Sequence, residues 1–360
     1  MTTYRIGLAA GDGIGPEISS ATHTVMDAAC KDALVSIDWV EAPIGFDAIA
    51  SYGDPIPAET KSALASCDGF VLGPHDSASY PEEYRERRNP VASFVRTSIC
   101  TPTFGPRGRT LRFQQSAHEW ISSSSGRTPR GSTTDRNMYV GTGELMPTVD
   151  VALAVGVFTR PAIMRAAHEA CRLARRRRRR LTVVHEANIL RRSSGLFLQV
   201  CREVGSAYPD LTVDDFHIDA MTAHLVRRGD TFDVVVAENM FGDILSDLAG
   251  ELSGSLGLAG SLNAGTDHVM AQAAHGSAPD IAGQGVANPI GLLLSAAMLL
   301  RWLGDKQTDP RLTAAGDSID VAVDAALTGG IRTRDLRGDA STAEFTEAVV
   351  ERLLAERSRS

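Results

Sequence analysis

Apolar positions in this chain fall into short runs separated by turn-forming residues. Arg5 to Ala10 is one such run, closed by Gly11-Asp12-Gly13-Ile14-Gly15, and it reads as a buried strand. Pro16 sits where a first-turn proline is favoured, so a helix is predicted to about Lys31. Val35 to Val40 is β-like, Pro57 to Ser66 reads as helix, and Gly69 to Leu72 is a short buried strand. Farther on, Ile163, Ala166, Ala170 and Leu173 recur at helical spacing. That helix runs into six arginines, Arg175 to Arg180, and then a strand, Leu181 to His185. Thr212 to His217 and Asp233 to Val236 read as strands, each followed by a helix. Strands alternating with helices imply an α/β fold, with a largely parallel sheet covered by helices.

One stretch breaks the pattern. From about Val95 to Thr134 the periodicity disappears, and order returns at Asp135-Arg136-Asn137. A structureless segment of that length is improbable inside a compact domain.

Composition narrows the class. The chain has 360 residues, 43% of them hydrophobic and 22% charged, enough for two intimately joined domains with a sizeable core. A net charge of −8 argues against a nucleic-acid or anionic-membrane partner. The arginine run is accordingly expected to be a solvated helix end, where cations suit the helix dipole. The first residues lack a signal-peptide layout, and the longest apolar run, Ile290 to Leu303, is too short to span a bilayer and contains Ser295 and Arg301. Five cysteines without CxxC spacing read as reduced thiols, which points to the cytoplasm.

Candidate chemistry lies in three places. Asp243 and Asp247, four apart on a predicted helix, share one face and suit Mg²⁺ or Mn²⁺, although such pairs are commonly just solvated. Asp219, just after a strand, is a third possible ligand or a helix N-cap. His275-Gly276-Ser277-Ala278-Pro279-Asp280 could let backbone approach a nucleotide, with Asp280 accepting from a ribose; an ordinary turn is the alternative. The Gly11 to Gly15 loop misses the Gly-x-Gly-x-x-Gly spacing, so an ordinary Rossmann phosphate loop is rejected.

Taken together, Gly11-Asp12-Gly13-Ile14-Gly15-Pro16-Glu17, the block Glu238 to Asp247, and the block His275 to Asp280 continuing to Gly285-Val286-Ala287-Asn288-Pro289 resemble the isocitrate/isopropylmalate dehydrogenase family. The resemblance implies a two-domain isopropylmalate-dehydrogenase-like fold. Residues 1–95 plus 256–360 would form a discontinuous nucleotide-side domain, and 96–255 a central domain carrying the dimer interface and metal ligands. It implies a homodimer, with the active site in the interdomain cleft. The implied activity is NAD- and Mg/Mn-dependent oxidative decarboxylation of a malate-type 2-hydroxy acid, 3-isopropylmalate-like or isocitrate-, homoisocitrate- or tartrate-like. Asp243, Asp247 and Asp219 of the partner subunit would hold the metal, with Asp219 also catalytic. Ile14, Asn188, His275, Gly276, Ser277, Ala278, Asp280 and Asn288 would bind the cofactor. A carboxylate at Asp280 repels a 2′-phosphate, which favours NAD over NADP. The stretch Arg88 to Phe94, where the family selects the substrate side group, matches neither the isocitrate nor the isopropylmalate pattern and leans slightly toward homoisocitrate. Isopropylmalate-like acids come first on the breadth of the family.

The chain departs from the family twice. Where the family has a proton-transferring lysine, Val184-His185-Glu186-Ala187-Asn188-Ile189-Leu190 carries Glu186, and no lysine exists between Lys61 and Lys306. Glu186 would have to act as the base with its charge reversed. The family's Tyr-Ala-Asn-Ile-Arg-Pro and Arg-Glu-Asn-Thr-Glu-Gly-Phe-Tyr motifs are also missing. Both emerge if codons from Ser98 and from Glu119 are read from their third base with permissible codons. A pair of compensating frameshifts, near Phe94 and near Thr134, is therefore expected, with residues 95–134 poorly packed. The alternative function is a catalytically impaired relative that binds NAD or a partner without turnover.

Overall fold

The computed structural model describes residues 2–85, 98–102, 119–122, 144–265 and 267–357. The N-terminal run is β1 (Thr2–Ala9), α1 (Gly15–Asp32), β2 (Val35–Glu41), α2 (Phe46–Tyr52), α3 (Ala58–Ala65), β3 (Gly69–Leu72) and α4 (Glu82–Arg85). The central run is β4 (Ser98–Pro102), β5 (Glu119–Ser122), β6 (Glu144–Thr148), β7 (Val151–Ala154), α5 (Arg160–Arg176), β8 (Arg180–His185), α6 (Ser193–Ser206), β9 (Thr212–His217), α7 (Ile218–Arg228), β10 (Val234–Ala237) and α8 (Asn239–Leu252). The C-terminal run is β11 (Ala259–Ala264), β12 (Val269–Ala273), α9 (Ile290–Gln307), α10 (Pro310–Thr328) and α11 (Thr342–Arg357).

The described residues form two compact units, one from 2–85 and 253–357, the other from 98–102, 119–122 and 144–252. In the first, strands lie in the order β2-β1-β3-β12-β11, parallel except for the β11–β12 pair. Helix α9 explains why its apolar run is continuous: Ile290 to Leu300 is buried throughout, so no polar stripe is needed. Among the described residues, no helix is long and apolar enough to cross a membrane.

In the second unit the order is β4-β5-β10-β8-β9, parallel except for β4–β5. The apolar run of β10 serves two faces: Val234 and Val236 pack under α5 and α6, while Val235 and Ala237 pack under α7 and α8. Side chains alternate across a strand, so a sheet covered on both sides needs apolar residues at every position. A separate hairpin, β6–β7, is exposed throughout its described side chains.

The expected poor packing of 95–134 falls mostly outside the described residues. The described parts, 98–102 and 119–122, have strand backbone, with β5 in parallel register with β10.

The arginine run is a largely exposed helix end, as expected, and it also carries ion pairs. Arg175 pairs with Asp210 at 2.9 Å and Arg180 with Asp214 at 3.3 Å. The Arg177 guanidinium and the Arg178 N–H both donate to Asp233, at 2.9 and 2.8 Å, and Asp233 is fully buried. These arginines stitch the end of α5 to the segment before β10, because a buried carboxylate requires donors. The four cysteines with described side chains, Cys30, Cys67, Cys171 and Cys201, are free and buried.

Candidate active site

Each unit gathers its chemistry at the C-terminal ends of its parallel strands, where α/β sheets open their crevices. In the first unit, the loops after β1, β3 and β12 meet there. Asp12 binds three groups with one carboxylate: the Phe46 N–H at 2.8 Å, the Asp76 N–H at 2.9 Å and the Tyr80 hydroxyl at 2.7 Å. Gly13 is forced by proximity, since a Cβ there would lie 2.0 Å from the Ser277 carbonyl oxygen. Ile14 N–H donates to that same oxygen at 2.9 Å. The first glycine loop therefore supports the His275 loop.

Beside the loops after β1 and β12 lies an open cavity of about 570 Å³ lined by Ile14, His275, Gly276, Ala278, Val286 and Asn288, with Ser255, Gly257, Ile281, Arg334 and Asp335 completing it. The His275 Nδ1–H donates to the Gly276 carbonyl at 3.1 Å, so Nε2 carries the lone pair. That buried Nε2 has no hydrogen-bond partner among the described residues. Burial holds the His275 imidazole below its ordinary pKa, and therefore neutral. A Cβ on Gly276 would meet no atom within 4 Å. An unpaired acceptor and open space beside backbone fit a ligand bearing hydroxyl or amino donors, such as the adenosine part of a dinucleotide.

The pocket brings together Ile14, His275, Gly276, Ala278 and Asn288, with Ser277 buried behind them. Asn288 is held by the chain itself: Oδ1 accepts from Ile290 N–H at 3.0 Å and Nδ2 donates to Asp335 at 2.8 Å. Asp280 is exposed beside the lining residue Ile281. Asn188 belongs to the second unit, on an exposed turn.

In the second unit, Glu186, Asp219 and Glu238 follow β8, β9 and β10, three parallel neighbours. Asp243 and Asp247 lie on the open face of α8, opposite Phe241, Leu245 and Ala249, which fill the core. Crowding by surrounding protein, then the charge of Asp247, pushes the Asp243 carboxyl up to about 6; burial likewise raises Asp247. Two carboxylates in mutual repulsion fit a hard divalent cation. Among the described residues, no three His, Cys, Asp or Glu side chains converge into a metal site. Asp219 thus does not join Asp243 and Asp247 within one chain. It is exposed in the first turn of α7, where it accepts from Ala220 N–H at 2.6 Å, and the N-cap is His217.

Glu186 has an unusual neighbourhood. Its N–H donates to Ser194 Oγ at 2.9 Å, and that hydroxyl donates to the buried Glu238 carboxylate. The buried Oε2 of Glu186 has no hydrogen-bond partner among the described residues. Burial, with a further contribution from Glu186, pushes Glu238 up to about 7, against the Ser194 hydrogen bond. His185 shapes the turn: its Nδ1 accepts from Ala187 N–H at 3.0 Å, and Nε2–H donates to Asp215 at 3.2 Å.

Comparison with known proteins decides the lineage. The model of the isocitrate/isopropylmalate dehydrogenase family matches residues 5–98 and 130–349. The chain belongs to that family. An isocitrate/homoisocitrate dehydrogenase of Thermus thermophilus is 37% identical over 359 residues, covering 97% of this chain and 98% of the relative. A 3-isopropylmalate dehydrogenase of Shouchella clausii is 34% identical, with 97% of each chain covered. Among solved structures, the isocitrate dehydrogenase of Methylococcus capsulatus superposes with a TM-score of 0.83 at 32% identity, covering 97% of this chain and 99% of that one. The α/β fold is that of an isocitrate/isopropylmalate dehydrogenase, and the chain is an enzyme by family.

Sequence reasoning missed the residues that hold the loops. Asp12 and Glu17 lie inside the quoted glycine motif, yet nothing local shows that their partners are at Tyr80 or Ala287. Asp335, which accepts from Asn288, Ser255 and Thr333, carried no motif at all.

Proposed function

We propose that this member catalyses NAD-dependent oxidative decarboxylation of a malate-type 2-hydroxy acid. The carrying observation is the Asp243–Asp247 pair on the open face of α8, at the sheet end where Glu186, Asp219 and Glu238 also stand. Bound there with Asp219 of the partner subunit, Mg²⁺ or Mn²⁺ supplies Lewis-acid stabilisation of charge developing on the substrate oxygen. The pocket around His275 takes NAD, the hydride acceptor, and Asp280 disfavours a 2′-phosphate. The exposed hairpin β6–β7, with Met146 at 65% exposure among other exposed apolar side chains, supports a homodimer. The substrate segment, Arg88 to Phe94, lies outside the described residues. The relatives make 3-isopropylmalate, isocitrate and homoisocitrate the acids to test. A cytoplasmic location fits the buried free thiols.

The test is NADH formation by purified protein with Mn²⁺, NAD and each acid in turn. Turnover of any one supports the reading, and absence of turnover with all of them overturns it.

A second reading has its own observation. Glu186 stands in place of the family lysine, with an unpaired buried oxygen beside Glu238. This favours a relative that binds NAD and metal without turnover. The compensating-frameshift proposal points the same way and is supported by the family match, which leaves out residues 99–129. Resequencing codons 90–190 tests it: a gene whose shifted frame lacks the two missing motifs sinks the frameshift proposal. NAD and Mn²⁺ raising the melting temperature of a protein with no turnover identifies the impaired relative.

A further inference from the structure

We propose that Glu17 is a positioning residue of the nucleotide pocket, an inference that rests on that pocket binding NAD. Glu17 lies in the first turn of α1, three residues after the lining residue Ile14. Its Oε2 accepts from Gly285 N–H at 3.1 Å and its Oε1 from Ala287 N–H at 2.9 Å. Those two amides bracket Val286, which lines the cavity, and Ala287 leads directly into Asn288, which also lines it.

Thr342 completes the hold. Its N–H donates to the Gly285 carbonyl at 2.9 Å and its Oγ1–H to the Ala287 carbonyl at 2.6 Å. The N–H and the carbonyl of both residues flanking Val286, Gly285 and Ala287, are thus engaged by residues far away in sequence. Gly285 has a φ of +67°, so the turn depends on a conformation that side chains oppose. Two charge-assisted bonds from one carboxylate fix such a turn in orientation as well as position. A carboxylate in a helix's first turn also favours the helix itself. A purely structural role would therefore lower stability and leave nucleotide affinity untouched.

The experiment measures NAD affinity by calorimetry for the wild type, Glu17→Gln and Glu17→Asp, with amide hydrogen exchange on each. Gln keeps one acceptor and turns an N–H₂ toward the other amide. Glu17→Gln is expected to weaken NAD binding about tenfold, the scale of losing one charge-assisted hydrogen bond. Exchange should quicken at Gly285 and Ala287. Glu17→Asp keeps the charge but withdraws it by one methylene, and a loss of a few-fold is expected even if the Gln variant fails to fold. Unchanged affinity in the folded variants overturns the inference, whatever happens to the melting temperature. A wild type that does not bind NAD overturns the functional reading, and this inference with it.

Discussion

Glu238 lies buried one strand away from Glu186, whose charge adds to the burial that makes Glu238 costly to ionise. A cation at position 186 would relieve both the crowded charge and the unpaired Oε2. Glu186→Lys is therefore expected to raise the melting temperature by about 1 °C, on the scale of ~1 kcal/mol for a protein of this size. If the remaining machinery is intact, turnover should rise as well. A melting temperature that falls would show that the turn accommodates the glutamate by design.

The same pair sets a pH dependence. Glu238 titrates at about 7 in the folded protein against an ordinary 4.5, so the folded state binds more protons between those values. Stability contributed by the protonated form is complete below about 4.5 and is lost as pH rises through about 7. Glu238→Gln, whose carbonyl can still accept from Ser194, should flatten that part of the stability curve. Urea melts at a series of pH values will show whether it does.

Asp243 and Asp247 should act as a unit toward metal. Replacing either by Asn halves the charge of the pair, and Mn²⁺-induced stabilisation in a thermal melt should nearly disappear. Asp219→Asn should weaken the same response only in the dimer. Retention of the full Mn²⁺ shift in Asp243→Asn would remove this pair from consideration as the metal site.

The arginine run offers a contrast within six residues. Arg177→Ala leaves Asp233 buried with one donor fewer and should cost about 1–3 kcal/mol in chemical unfolding. Arg175→Ala opens an exposed ion pair and should cost less than about 1 kcal/mol. Equal losses from both would mean that burial of Asp233 does not set the difference.

Much of the architecture is legible in local pattern. The strands at Gly69–Leu72 and Val234–Ala237 announce themselves as continuous apolar runs because helices cover both faces. The Asp243–Asp247 face follows from spacing alone. Where reading failed, the deciding partner was distant. Asp233 gives an otherwise exposed arginine run a buried partner, and the N-cap, the alternative to a metal ligand for Asp219, went to His217, which carries the strand's extended backbone. Asn288 lines the pocket, and the Asp335 and Ile290 partners that hold its amide there leave no trace in local pattern.

The backbone bond from Ile14 to Ser277, and the link from Glu17 to Thr342 across 325 positions of sequence, have a consequence for biogenesis. On the ribosome, the first glycine loop emerges long before the segments that complete it. Closing so long a loop carries a large entropic cost that local helices and strands do not share. The cavity proposed for the nucleotide is therefore expected to form only after the last helix has left the ribosome, and a chain truncated before Thr342 should fold its strands yet bind a dinucleotide poorly.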